Sequence, residues 1–218
     1  MSDLLTIAII GGTGDLGSGL ARRWAACGHR VVLGSRSKTK AEAKAMELGL
    51  NVSGDDDLAA ASVADLIVIA VPFSSHEESL RKIKASVQGK IVVDAVVPLV
   101  PPKVSTVQLP PGGSAALIAQ SILGEGVRVV SAFHNVGAAK LHAGERAKCD
   151  VLVFGDDKSA RELVIGLANE VALRGIDGGP LANSVAAEAL TSILIGINRR
   201  YKVAGAGIRI VGLSAEDA

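Results

Sequence analysis

Gly12-Thr13-Gly14-Asp15-Leu16-Gly17 has the spacing G-x-G-x-x-G, whose chemistry is the capture of a pyrophosphate. In that motif the first glycine permits a tight turn and the second lets the backbone approach the phosphates. The third lets helix and strand pack closely. The residues before the motif form a short apolar run and those after it a helical pattern, the context the fingerprint requires. A helix starting there turns free N–H groups and a partial positive charge toward an anion. The competing reading is a glycine turn used for packing alone.

About twenty residues further on, a dinucleotide unit ordinarily carries an acid that bonds the ribose 2′-OH. Here Gly34-Ser35-Arg36 is followed by Lys38 and Lys40. Arg36 offers a planar donor fork matched to a phosphate, Ser35 a hydroxyl and the lysines point charges. Thr13 can add a second hydroxyl. Lysines in a first helical turn oppose the helix dipole unless an anion lies nearby. The pattern therefore favours NADP over NAD, against the alternative that these are solvated charges at a helix start.

Three further segments end apolar runs where ligands sit in open α/β sheets. They are "AVPFSSH" with Phe73, "DAVVPL" with Val97 and Pro98, and "SAFHNVGAA" with Phe133, His134 and Asn135. His29, His76 and His142 show no metal-ligand spacing, and no metal is expected. No nucleophile motif, Cys–His pair or carboxylate cluster stands out, so no catalytic side chain is assigned. That suits a hydride transfer between two cofactors, in which the rings carry the chemistry and the protein aligns them.

The elements that must hold these residues follow from hydropathy. Val- and Ile-rich runs at 4–10, 30–34, 64–71, 90–96, 127–133 and 150–155 are nearly continuous, as in strands buried on both faces. A last short strand is expected near 175–178. Helical patterns at 15–27, 38–48, 56–62, 74–86, 114–123 and 157–173 alternate with them, and the proline-rich stretch 97–113 reads as a surface loop. The expected fold is α/β, a Rossmann-type doubly wound parallel sheet over 1–180 with a small C-terminal helical portion at 181–218. That portion carries Leu190, Ile193, Leu194, Ile197 and Tyr201 at helical spacing, a face for the sheet or a second subunit.

Of the 218 residues 49% are hydrophobic and 21% charged, which suits a sizeable core. A net charge of +1 supplies no field to recruit nucleic acid. The N-terminal apolar run is too short for a signal or a membrane span, so a cytoplasmic protein is expected. Cys27 and Cys149 have neither metal nor redox-motif spacing.

Together "GGTGDLGSGLA", "GSRSKTKAEAKA", "KIVVDAVVPL", "VSAFHNVGAA", "FGDD" and "GPLANSVAAEALTSILIGIN" resemble the NADPH-dependent reductases of coenzyme F420. The resemblance runs from Ile7 to about Leu213. It implies reversible hydride exchange between NADP(H) and the 5-deazaflavin F420, small-molecule redox partners, and a homodimer whose C-terminal helical portion completes the site. By resemblance, nucleotide contacts fall on Gly12, Thr13, Gly14, Asp15 and Leu16, and the 2′-phosphate pocket on Ser35, Arg36 and Lys40. Phe73, Val97 and Ala138 match the nicotinamide half, while His134, with Asn135 and Val136, lies beside the deazaflavin. Gly137, where many members have proline or serine, and the extended basic C-terminus leave open a different flavin- or pterin-like acceptor, and the open strand-end loops without catalytic side chains leave open an NADP-binding protein without turnover.

Overall fold

The computed structural model describes residues 4–49, 51–142 and 149–213. Strands β1 (Thr6–Ile10), β2 (Arg30–Ser35), β3 (Val52–Asp56), β4 (Leu66–Ile69), β5 (Ile91–Asp94), β6 (Arg128–Ser131), β7 (Asp150–Gly155) and β8 (Arg174–Gly179) form one sheet. Its order is β3-β2-β1-β4-β5-β6-β7-β8. Helices α1 (Asp15–Ala26), α2 (Lys38–Leu48), α3 (Asp57–Val63), α4 (His76–Ile83), α5 (Ala115–Leu123), α6 (Ala138–His142), α7 (Lys158–Glu170) and α8 (Ser184–Tyr201) cover it.

The continuous apolar runs are explained by two cores, one on each face of the sheet. Ile7 and Ile9 of β1 join Leu20, Trp24 and Val151 on one side. Ala8 and Ile10 join Ala60, Ile69 and Ala116 on the other. Trp24 meets the edge of Phe133 at 5.7 Å and donates its indole N–H to the Leu167 carbonyl at 3.0 Å. That pair ties α1 to the ends of β6 and α7.

The α/β Rossmann-type architecture is as expected, with three refinements. Strand β3 is added at the sheet edge, paired parallel with β2. Its sequence, VSGDD, lacks an apolar run because an edge strand buries little, and Gly54 is there to admit α2. A Cβ on Gly54 would lie 2.2 Å from the Ala41 carbonyl carbon. The short helix α6 follows β6. Finally, β7 runs antiparallel to β6 and carries β8 with it. A strand's own residues carry no mark of its direction, so this reversal comes from the tertiary arrangement.

The reversal puts the start of β7 beyond the last residue of β6, at the edge where β1 to β6 end. The C-terminal stretch returns to that spot. Asp150 N–H donates to the Ile208 carbonyl at 2.9 Å, and Arg174 grips both Asp150 carboxylate oxygens at 2.8 and 2.7 Å. Of the expected 181–218 portion, residues 214–218 lie outside the described residues. Leu181–Tyr201 is long and apolar enough to cross a membrane by length and composition. Its inner face, however, buries Ser184, Glu188 and Ser192, with Ser184 bonded to Ser114 at 2.8 Å.

Candidate active site

The glycine loop is pinned between two strands. Gly11 and Gly12 N–H groups both reach the Gly34 carbonyl, at 3.1 and 3.2 Å, and Gly14 N–H closes on the Gly11 carbonyl at 3.0 Å. A Cβ on Gly17 would stand 2.9 Å from Gly11 O and Gly12 Cα, so that glycine serves the close seating of α1. Gly14 differs, since the nearest atom to an added Cβ is Gly11 O at 3.4 Å. Packing within the chain does not require that glycine; an approaching ligand would.

The N-terminus of α1 is also left open. Ser37, Asp56, Ser114 and Asp157 cap α2, α3, α5 and α7 with side-chain oxygens, whereas Gly14 has no side chain to give α1. First-turn N–H groups lack intrahelical acceptors, so they await an external one. His142 fixes the turn from the side, its Nε2 3.0 Å from the Asp15 carbonyl oxygen.

A cleft of about 240 Å³ opens from this loop, lined by Gly11, Thr13, Gly14, Ser35, Arg36, Asp57, Ala70, Val71, Pro72, Ser75, Glu78, Ser79 and Lys82. It brings the glycine loop together with Ser35 and Arg36, although they belong to different β–α turns. Lys38 turns elsewhere and pairs with Asp55 at 2.9 Å, and Lys40 is exposed and does not line the cleft. Lys82, 3.5 Å from the Asp57 carboxylate, was not foreseen. Nothing local distinguishes it from the other cations of its helix.

A second cleft of about 480 Å³ adjoins the first and shares Ala70, Val71 and Pro72 with it. Its other lining residues are Leu16, Phe73, Ser74, Ala95, Val96, Val97, Leu99, Val100, Pro101 and Val104, none of them titratable. Phe73 and Val97 thus stand where the strand-end reading put them. The proline-rich loop supplies a wall.

The segment after β6 faces α8 instead. Phe133 has φ +68°, an uncommon backbone for a bulky side chain, and the chain turns inward there. Asn135 donates to the Ala187 carbonyl at 3.0 Å and to Thr191 Oγ1 at 3.1 Å, and Thr191 returns a bond to the His134 carbonyl at 3.0 Å. His134 Nε2 lies 3.2 Å from Ser131 Oγ. Burial pushes the His134 imidazole down to about 4, against the opposing pull of Asp94. His134, Asn135 and Val136 are buried, Ala138 opens α6, and none of the four lines either cleft. Gly12 and Asp15 are likewise not among the lining residues: Gly12 is buried, and Asp15 opens α1.

Two buried polar arrangements also escaped the sequence reading. His76 and Asp94, both without solvent exposure, meet at 2.5 Å. Glu188 of α8 reaches the first turn of α5, and its carboxylate accepts from Ala115 and Ala116. An acid ending the apolar strand β5 was the available signal for Asp94, but its partner lies eighteen residues upstream.

A polar cleft at a glycine loop that adjoins an apolar cleft can hold a dinucleotide by its phosphates and offer its ring to a second molecule. The open Gly14 and the uncapped α1 fit that ligand. The class so defined is the Rossmann-type dinucleotide oxidoreductases.

Comparison with known proteins carries this further. Residues 6–98 match the family described as NADP oxidoreductase, coenzyme F420-dependent. The F420-dependent NADP reductase of Methanocaldococcus jannaschii is 39% identical, covering 96% of this chain and 99% of its own. That of Methanothermobacter thermautotrophicus is 37% identical, covering 98% of each. A solved structure from Arthrobacter sp. FB24, at 24% identity, superposes with a TM-score of 0.82 over 95% of this chain and 99% of its own, which bears on the fold. The chain belongs to the F420-dependent NADP reductase family.

Proposed function

We infer that the protein transfers hydride reversibly between NADP(H) and the 5-deazaflavin coenzyme F420. The observation that carries this is the pair of adjoining clefts, one polar with Arg36 and one apolar without ionisable groups, in a chain matched end to end by F420-dependent NADP reductases.

When bound, NADP(H) and F420 supply the donor and acceptor of the hydride. The first-turn N–H groups of α1 hold the pyrophosphate, and Gly14 lets them approach it. Arg36 and Ser35 take the 2′-phosphate, for which the guanidinium fork and hydroxyl are suited. Leu16, Phe73, Val96 and Val97 keep water from the rings, and Pro72 marks the passage between the clefts. His134 and Asn135 shape the far side by fixing α8 to the end of β6.

A cytoplasmic homodimer belongs to the same reading. Cys27 and Cys149 are free thiols, as a reducing compartment favours. Ile193 and Tyr201 are exposed along the outer face of α8, a surface suited to a second copy. Neither nucleic acid nor a membrane is proposed as a partner. Light scattering on the purified chain tests the dimer.

The activity itself is tested by following deazaflavin absorbance with NADPH and NADH in parallel. F420 reduction with strong preference for NADPH is expected. Absence of turnover, or equal use of NADH, would overturn the reading.

A further inference from the structure

Asp94 is the last residue of β5, fully buried, with its two carboxylate oxygens on different parts of the molecule. Oδ1 accepts the Val96 N–H at 2.9 Å, while Oδ2 takes the hydrogen of His76 Nε2 at 2.5 Å. Val96 and Val97 form one wall of the apolar cleft. Phe73, which also lines that cleft, stacks on the His76 ring, with centroids 6.1 Å apart and planes 28° from parallel. Thus the carboxylate bonds Val96 directly and reaches Phe73 through an imidazole.

His76 has a second feature that packing alone does not explain. Its Nδ1 is buried without a hydrogen-bond partner, the sole such side-chain atom among the described residues. An unsatisfied buried polar atom costs stability that an apolar ring of similar size would not. What the histidine supplies in return is its Nε2 bond to Asp94 combined with a flat face for Phe73. A glutamine would supply only the bond, and a phenylalanine only the face.

We propose that the His76–Asp94 pair is a positioning device for hydride transfer, fixing Phe73 and the Val96–Val97 segment relative to one another where both line the apolar cleft. This rests on reading the apolar cleft as the place where the nicotinamide and the deazaflavin meet. Neither residue touches the rings; both act through the walls. The first cleft, which takes the phosphates, includes neither.

The test uses His76→Gln and Asp94→Asn in the full chain. It reads single-turnover F420 reduction, NADPH dissociation constants by fluorescence quenching, and thermal melting. His76→Gln keeps a donor for Asp94 but removes the face under Phe73. Its transfer rate is expected to fall about tenfold or more, since small misplacements of reacting groups are costly, with NADPH affinity held within about twofold. Asp94→Asn keeps an oxygen for Val96 and an amide that can donate to His76 in its other tautomer. It is expected to melt lower yet transfer within about threefold of wild type.

Wild-type transfer by His76→Gln overturns the proposal, as does a rate loss matched by an equal loss of NADPH affinity. An Asp94→Asn enzyme as slow as His76→Gln also overturns it, by assigning the role to charge. If His76→Gln does not fold, His76→Phe decides, since it keeps the ring beside Phe73 and removes the bond to Asp94: slow transfer with unchanged NADPH affinity supports the proposal, and wild-type transfer overturns it. A wild-type enzyme that never reduces F420 overturns the functional reading itself and is distinguishable from all of these.

Discussion

The carboxyl group of Glu188 closes the N-terminus of α5, its oxygens accepting from Ala115 N–H at 2.6 Å and Ala116 N–H at 3.1 Å. Burial drives this acid up to about 8, against the pull of the two amides and Ser184. A carboxyl that holds its proton more tightly when folded stabilises the protein at low pH and loses that contribution as pH rises toward the folded value. Between pH 6.5 and 8 the loss is about 2 kcal/mol, on the order of 5 °C in Tm for a chain of this size. Glu188→Gln should flatten that slope. A wild-type Tm that is level or rising over this interval, measured calorimetrically, would refute the assignment.

His134 works in the opposite direction. Its imidazole is held down at about 4 from an ordinary 6.5, so the folded state prefers it neutral. Stability from this group is present above pH 6.5 and is lost as pH falls toward 4. Relative to His134→Gln, the wild type should lose roughly 2 kcal/mol between pH 6.5 and 5. The pH profile of hydride transfer should show no titration assignable to His134 above pH 5.5. Urea melts across that range, with parallel rates, check both statements.

Gly14 and Gly17 belong to one motif but should fail differently. Gly14 has φ −77°, and a new methyl would come no nearer than 3.4 Å, to Gly11 O, so Gly14→Ala should melt close to wild type. Its NADPH affinity should nevertheless fall about tenfold or more, because the methyl would stand where the proposed function brings the phosphate to the α1 amides. Gly17→Ala places a methyl against the Gly11 and Gly12 backbone and should cost about 2 kcal/mol or more of stability. Comparing melting with NADPH titration separates the two. A Gly14→Ala protein that bound normally would remove the loop from the site.

What was legible in the chain was what local pattern encodes. The runs around Ile7–Ile10 and Leu66–Ile69 announce strands covered on both faces, and the glycine loop and Ser35-Arg36, singled out by their spacing, do line one cleft. The reversal of β7 was not legible, because Asp150–Gly155 would read the same in either direction. Lys82 shares a cleft with Arg36 only because α4 packs against α3, where Lys82 meets Asp57. His76 falls within the 74–86 helical pattern and Asp94 within the 90–96 run, and only the fold sets them side by side. In each missed case the information lies in which elements become neighbours rather than in any one segment.

Arg36 and Lys40, read from sequence as partners in one pocket, are expected to separate in function. Arg36 lines the polar cleft with Ser35 and Thr13, whereas Lys40 is exposed outside it and helps only through long-range charge. Charge-assisted bonds contribute about 1.5–3 kcal/mol, so Arg36→Ala should lower the NADPH-to-NADH ratio of kcat/KM by about tenfold or more. An exposed charge at a distance is screened, and Lys40→Ala should change the ratio by about threefold or less, shrinking further at high salt. Steady-state kinetics with both nucleotides at two ionic strengths distinguish the residues. If Lys40→Ala proved the more damaging, the phosphate would sit over the first turn of α2, and the polar cleft would have to take a different part of the cofactor.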